Sequence, residues 1–337
     1  MNATEYVKKL NRGWNLGDTL DARPKKDRTD QETAWYNPVT TEAMIKTVEA
    51  AGFDIFRVPV TWCKQLEADY TINKDFLARV KEVVDYGYNI GMTVILNLHH
   101  EDWHFPSEEN YPSASRILKK LWTQIAQAFG GYENRLIFES MNEPRKEKTP
   151  VEWTGGDEEG RQIVMRLNQD FVDTIRATGD DFPQNATRML LVPNYAASCE
   201  EVALVDFVMP KGENLIMSLH GYIPYGFALS DDHSKNIWSK KREKPIDDLF
   251  ALIGKHILSK GIPVIMGECG ARKKGDNEND RAEWAKYYTQ KAREAGIPCI
   301  WWDNGRLDGP NNMELFGLLD RANLSWAYPK ILEAFVK

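Results

Sequence analysis

Short apolar runs rich in β-branched residues alternate along the chain with longer stretches whose apolar positions recur every three or four residues. That is the pattern of repeated strand–helix units around a parallel sheet. Eight runs are expected to be strands: 13–17, 54–59, 93–98, 136–141, 189–193, 215–219, 264–267 and 299–302. Between them, Phe76, Leu77, Val80, Val83 and Val84 share one helical face, and so do Leu167, Phe171, Val172 and Ile175. Three helices end in the same way, at Gly52, Gly261 and Gly296, where a left-handed glycine stops the helix and turns the chain into the next strand. Eight such units with no Pro/Gly/Ser-rich linker predict an α/β chain folded as one (β/α)8 TIM barrel over residues 1–337, with 153–160 and 230–245 as barrel loops.

Composition narrows the partners. A formal charge of −7 with no Lys/Arg stripe repels phosphate backbones and anionic lipid, so neither nucleic acid nor membrane is expected to bind. Of the 11 Trp, 13 Tyr and 13 Phe, several fall in loop-like sequence. Trp35, Trp62, Trp103, Trp153 and Trp238 are either stacking platforms for a ligand with apolar faces, such as a sugar ring, or packing for the loops. The four cysteines, Cys63, Cys199, Cys269 and Cys299, have no metal-ligand spacing and are expected to be free thiols. The first residues, MNATEYVKKLNRGW, carry no signal-peptide apolar stretch. The expectation is a secreted monomer whose leader is absent from this sequence, or otherwise a cytoplasmic one.

In a barrel of this kind the site is built at the C-terminal ends of the strands. Polar residues gather there: Arg57 in FRVPVTW, His99 and His100 in NLHHE, Asn142 and Glu143 in MNEP, His220 and Tyr222 in HGY, Glu268 in GECGA, Trp301, Trp302 and Asp303 in WWDNG. Glu143 and Glu268 would face each other across the mouth, which suits the two-carboxylate mechanism of glycoside hydrolysis. Arg57 would keep one of them ionised while the other carries a proton. The run His99, His100, Glu101, Asp102, His104 also has metal-ligand types. Neighbours on an extended strand point to opposite faces, so His99 and His100 are not expected to chelate together, and neither metal nor cofactor is expected. His104 is expected to brace its loop.

RGWNLGDTLDA, ETAWYNP, FRVPVTW, NLHHE, MNEP, HGYIPYGFA, GECGA and WWDNG, in this order, resemble family 5 of the glycoside hydrolases, in clan A, over nearly the whole chain. The likeness is to the bacterial endo-β-1,4-glucanase branch, whose members also cleave xyloglucan and mixed-linkage glucan. The resemblance implies a retaining hydrolase with Glu143 as acid/base and Glu268 as nucleophile, acting on a β-glucan polysaccharide or oligosaccharide. It implies that Arg57 holds the nucleophile ionised, that His220 and Tyr222 hydrogen-bond around it, and that Asn142 grips the 2-hydroxyl at the cleavage point. His99 would line that subsite over a floor of Trp302 or Trp301, with His100 beside it. Trp35, Asp18 and Asp21 would reach outward to the next glucose. Three residues depart from the family pattern, Asp18 for Asn, Tyr36 for Gly and Cys269 for Phe, and they bear on the outer subsites. The alternatives are mannan or xylan as substrate on the same barrel, or a barrel that binds glucan without cutting it, which would need a broken carboxylate pair.

Overall fold

The structure is a computed structural model describing residues 1–24 and 30–337. Its eight barrel strands are β1 (Arg12–Leu16), β2 (Ile55–Val58), β3 (Thr93–Asn97), β4 (Leu136–Glu139), β5 (Leu190–Pro193), β6 (Leu215–His220), β7 (Val264–Cys269) and β8 (Cys299–Asp303). They pair in sequence order, all parallel, and β8 closes on β1. This is the predicted (β/α)8 barrel, with each expected strand within a few residues of its observed bounds. The three helix-ending glycines have φ of 106°, 75° and 70° at Gly52, Gly261 and Gly296, the left-handed turn that redirects each helix into the following strand. All four cysteines are free.

Two expected loops are shorter than predicted. The helix Glu158–Ala177 starts inside 153–160 because Asp157 caps it, its side chain accepting from the Gly160 N–H at 2.8 Å. Likewise Lys244–His256 begins inside 230–245.

Side chains alternate along each strand, so the barrel interior is built in layers. One layer is apolar: Ile55, Ile95, Ile137, Leu191, Ile216, Ile265 and Ile300, one from each of β2 to β8. β1 contributes Gly13, where a Cβ would come within 2.8 Å of Ile300, so Ile300 and Ile55 fill its share of the space. Below, Ala3, Tyr6 and Val7 of the N-terminal helix Ala3–Val7 plug the bottom of the barrel. The larger core lies outside, between sheet and helices. Two residues further along the strands the interior turns polar, with buried Asn15, Arg57, Asn97, Glu139 and Ser218 and, from β8, Trp302. The isoleucine layer is therefore the floor on which the polar mouth stands. Ile95→Ala should cost about 2 to 5 kcal/mol in chemical denaturation, since layer neighbours held on six other strands cannot collapse into the gap. A loss under about 1 kcal/mol would show that this layer does not bear the barrel.

Candidate active site

The polar layer is organised by one side chain. Arg57 is fully buried and its side-chain hydrogen bonds cross the barrel: Nε to Glu139 Oε2 at 2.8 Å, Nη1 to Asn15 Oδ1 at 2.8 Å and to Glu268 Oε1 at 2.9 Å, and Nη2 to Asn142 Oδ1 at 2.7 Å. Burial alone would lower its pKa, but Glu139 and Glu268 outweigh this and hold it above the usual value. Glu139 is itself saturated, accepting from Ser218 Oγ at 2.7 Å and Asn97 Nδ2 at 3.1 Å as well. A buried guanidinium thus sits between two buried carboxylates with its planar fork filled, the condition under which such charges are tolerated away from water.

Above this layer stand Glu143 and Glu268. One oxygen of each and a ring nitrogen of His220 lie within 4.8 Å of one another. Glu268 Oε1 takes the Arg57 bond, and its Oε2 takes the Tyr222 hydroxyl at 2.7 Å. Glu143 Oε1 lies 2.7 Å from His220 Nδ1, and Arg145 Nη1 is 3.7 Å from its Oε2. His220 Nδ1 is also 3.6 Å from Glu268. Of the expected pair around Glu268, Tyr222 therefore bonds it directly, whereas His220 bonds Glu143. Burial raises the Glu268 carboxyl above the usual range, with His220 and Arg57 opposing. Burial also acts on Glu143, but the His220 hydrogen bond and the charges of His220 and Arg145 outweigh it and leave this carboxyl below the usual range. Against burial, Glu268 and Glu143 hold His220 above its ordinary value. These directions describe one shared proton. That proton lies between His220 Nδ1 and Glu143 Oε1, which share a 2.7 Å hydrogen bond.

The other flank is aromatic. His99 and Trp302 lie parallel, 2° apart with centroids at 5.6 Å. Gly17 permits this, since a Cβ there would meet the Trp302 ring at 2.8 Å. Trp301, the alternative floor, is fully buried and donates to the Phe316 carbonyl, so it belongs to the core. Asn97 fixes the His99 tautomer. Its Oδ1 accepts from the Val60 N–H at 3.1 Å, so its Nδ2 donates to His99 Nδ1 at 3.1 Å. The proton of neutral His99 is therefore on Nε2, 4.0 Å from Glu268 Oε1. Burial keeps both His99 and His100 uncharged, pulling His100 down to about 4.

Several expectations need correction. β3 ends at Asn97, so His99 and His100 are not on an extended strand. Their rings meet edge to face at 4.4 Å, and with Asp21 they form a second cluster of ligand-type atoms within 4.8 Å. The alternation argument against joint chelation thus fails, although Asn97 occupies His99 Nδ1. Asp21 does not reach outward. It is fully buried and accepts from the backbone N–H groups of Thr19 at 2.7 Å and Asp18 at 3.1 Å. Trp62 and Trp103 are buried loop packing, and His104 is buried beside Trp103. Cys269 is buried in the outer core and reaches no subsite. The other two departures meet at Arg306, whose Nε is 3.8 Å from Asp18 Oδ2 and whose guanidinium lies 5.3 Å from the Tyr36 ring. Arg306 also donates to the carbonyl of Trp35, which leans on His100 at 5.8 Å.

Glu139, Asn15, Asn97 and Ser218 carry the site and were not among the expected residues. A signal exists for three of them, Asn97, Glu139 and Ser218, as for Arg57. In Ile55-Phe56-Arg57, Ile95-Leu96-Asn97, Ile137-Phe138-Glu139 and Ile216-Met217-Ser218 a polar residue follows an inward isoleucine by two, so each faces the same interior.

A parallel eight-stranded barrel with paired carboxylates across its mouth defines a glycoside hydrolase of the two-carboxylate type. The chain belongs to the cellulase family, glycosyl hydrolase family 5, whose sequence model matches residues 21–308. It is 42% identical to endoglucanase B of Neocallimastix patriciarum, over all of this chain and 72% of that one. Among solved structures, a broad-specificity endoglucanase from Ruminococcus champanellensis with bound cellotriose is 41% identical, covers 100% of this chain and 99% of its own, and superposes with a TM-score of 0.96. A lichenase from Caldicellulosiruptor sp. F32, in complex with cellotetraose, is 40% identical, with 100% and 95% covered and a TM-score of 0.93.

Asp18 yields a test of sign. Burial, then the neighbouring Asp21, pushes its carboxyl up to about 8, far above its value in an unfolded chain. A carboxyl raised in this way favours the fold at low pH, and that contribution is lost as pH rises through the folded pKa. Asp18→Asn should therefore match the parent in Tm near pH 4 and exceed it by a few degrees at pH 8. An equal or lower Tm at pH 8 would contradict a raised Asp18 carboxyl.

Proposed function

We propose that this chain cleaves internal β-1,4 bonds of glucans with retention of configuration, Glu268 acting as nucleophile and Glu143 as acid and then base. The observation that carries this is the spacing of the two carboxylates. Oxygens within 4.8 Å lie near the roughly 5 to 5.5 Å of retaining enzymes and leave no room for a sugar together with an attacking water, whereas inverting enzymes hold the groups about 6.5 to 9.5 Å apart.

The surrounding bonds fit the roles. Arg57 and Tyr222 each engage one oxygen of Glu268 and stabilise it as an anion, which is the nucleophilic form. Glu143 becomes the acid when the shared proton crosses its 2.7 Å bond from His220, and once Glu268 is esterified it takes a proton from water. Asn142 has its Oδ1 engaged by Arg57, so its NH2 is left to donate to a sugar hydroxyl, and His99 offers Nε2–H beside it. Trp302 supplies an apolar face for the ring that stays. Cello-oligosaccharides bound to the two structural relatives support a β-1,4-glucan chain as the ligand here.

Chemical rescue tests both roles at once, using an activated aryl β-cellobioside and azide. Glu268→Ala should lose at least about a thousandfold in rate and yield the α-azide, because azide replaces the nucleophile. Glu143→Ala should form the glycosyl-enzyme from this good leaving group and yield the β-azide. The reverse assignment of anomers, or azide without effect on either variant, would overturn the proposal.

A further inference from the structure

Cys269 and Cys299 take no part in the mechanism above, yet β7 and β8 bring them together from distant points of the sequence. The pairing of β7 with β8 slips between Met266 and Cys269, so Glu268 faces the mouth while Cys269 faces the outer core. There the two thiols, both fully buried, lie within hydrogen-bond reach of each other. Cys269 Sγ also reaches the Ile300 carbonyl at 3.6 Å, and Cys299 Sγ the Ile297 carbonyl at 3.7 Å. Met266, the partner of Cys299 across the β7–β8 pair, adds a buried thioether on the same side. Cys269 stands where the family pattern has Phe, so this sulfur cluster is a feature of the chain and not of the barrel.

Two groups beside the cluster are not explained by packing. The Tyr288 hydroxyl, on the helix Glu278–Glu294, is fully buried and has no hydrogen-bond partner. Burial and the neighbouring Cys269 and Cys299 thiols hold it well above its ordinary pKa, and it crowds the same point as Met266 Sδ, where a Cβ on Gly221 would clash with both. The second group is Arg12, the partner of Cys299 across the β1–β8 pair. Its buried guanidinium donates to the carbonyls of Phe335 and Asn11 at 2.9 Å and of Thr289 at 3.2 Å, and among the described residues no carboxylate pairs with it. Carbonyls satisfy its hydrogen bonds but leave its charge unbalanced.

Thiolate and thioether sulfurs are soft ligands and select soft ions such as Cu(I). Zn2+ takes four ligands in a closed site, and two thiols do not supply them. Charge points the same way. When one monovalent ion enters and both thiol protons leave to solvent, the neutral pair becomes a complex with one net negative charge, which balances Arg12. A divalent ion between two thiolates would be neutral and leave Arg12 as it is. The complex also gives the Tyr288 O–H an acceptor in a thiolate sulfur, which supplies the partner that this buried hydroxyl lacks.

The structure assigns Cys269 and Cys299 as the ligands of a buried site for one soft monovalent ion of the Cu(I) kind, with Met266 beside them and Arg12 neutralising the complex. The site lies in the outer core, behind the strands that carry His220 and Glu268, and it is independent of how the carboxylates cleave a glucan.

Anaerobic titration of the whole chain with Cu(I), buffered by the chelator bicinchoninate, tests the site. The parent should take up one equivalent, and X-ray absorption at the copper edge should show sulfur neighbours alone. Cys269→Ala and Cys299→Ala should each bind at least about a hundredfold more weakly, because a single thiolate is left to hold the ion. Cys63→Ala and Cys199→Ala, which lose a thiol outside the pair, should bind as the parent does. The absorption measurement uses the parent alone, so it decides the matter even where a variant fails to fold. No uptake by the parent, nitrogen or oxygen neighbours around its copper, or loss of the copper in Cys63→Ala or Cys199→Ala would overturn the assignment.

Discussion

The buried guanidinium of Arg57 is the constraint on which the mouth of the barrel depends. It joins β1, β4 and β7 through Asn15, Glu139, Asn142 and Glu268, and among the described residues it carries the only positive charge of that inner layer. Removing it would leave two carboxylates facing each other in a place water does not reach, a far larger cost than one hydrogen bond. Its fork geometry also orients them. Arg57 holds one oxygen of Glu268 and one of Glu139, and both oxygens of Glu139 are held again by Ser218 and Asn97. Glu268, the proposed nucleophile, is thereby fixed from below by groups whose own positions are fixed by the isoleucine layer beneath them.

The same arrangement gives the two carboxylates proposed to catalyse cleavage opposite surroundings. Glu268 is reached by Arg57 and Tyr222, whereas Glu143 is reached by His220 and Arg145. The two carboxylates hold the His220 imidazole above its ordinary value, and His220 holds the Glu143 carboxyl below its own, so the pair shares one proton across their hydrogen bond. Turning Glu143 into an acid requires only that this proton move along a 2.7 Å bond, and esterification of Glu268 removes the negative charge that held the proton nearby. In the proposed mechanism a single titrating unit of three residues thus serves both halves of the reaction.

The barrel was legible in the sequence because its signals are local. Apolar strand runs, amphipathic helix faces and the glycines at 52, 261 and 296 each report on a few neighbouring residues. The carboxylate pair was legible because strand ends in such a barrel converge on one mouth. What lay hidden were facts of register and of long-range pairing. Glu139 looks like a stray charge in an apolar run until it is counted two residues from Ile137, and by the same parity Trp302 shares the interior with Ile300 while Trp301 faces the outer core. Where β3 stops decided the His99–His100 contact, and a strand end is set by the partner strand, not by its own residues. Asp21 and Arg306 act through loops whose path no periodicity describes.

The central claim is that Arg57 divides its charge between Glu139 and Glu268, and Glu139→Gln tests it most directly. A glutamine fits the site, with its carbonyl oxygen toward Arg57 and Asn97 and its NH2 donating to Ser218 Oγ. It removes one anion, so Arg57 is left to stabilise Glu268 alone. The acidic limb of the kcat/KM profile on glucan, which reports ionisation of the nucleophile, should then move down by roughly one pH unit. An acidic limb that stays in place or moves to higher pH would show that Glu139 does not compete for Arg57, and would contradict the account.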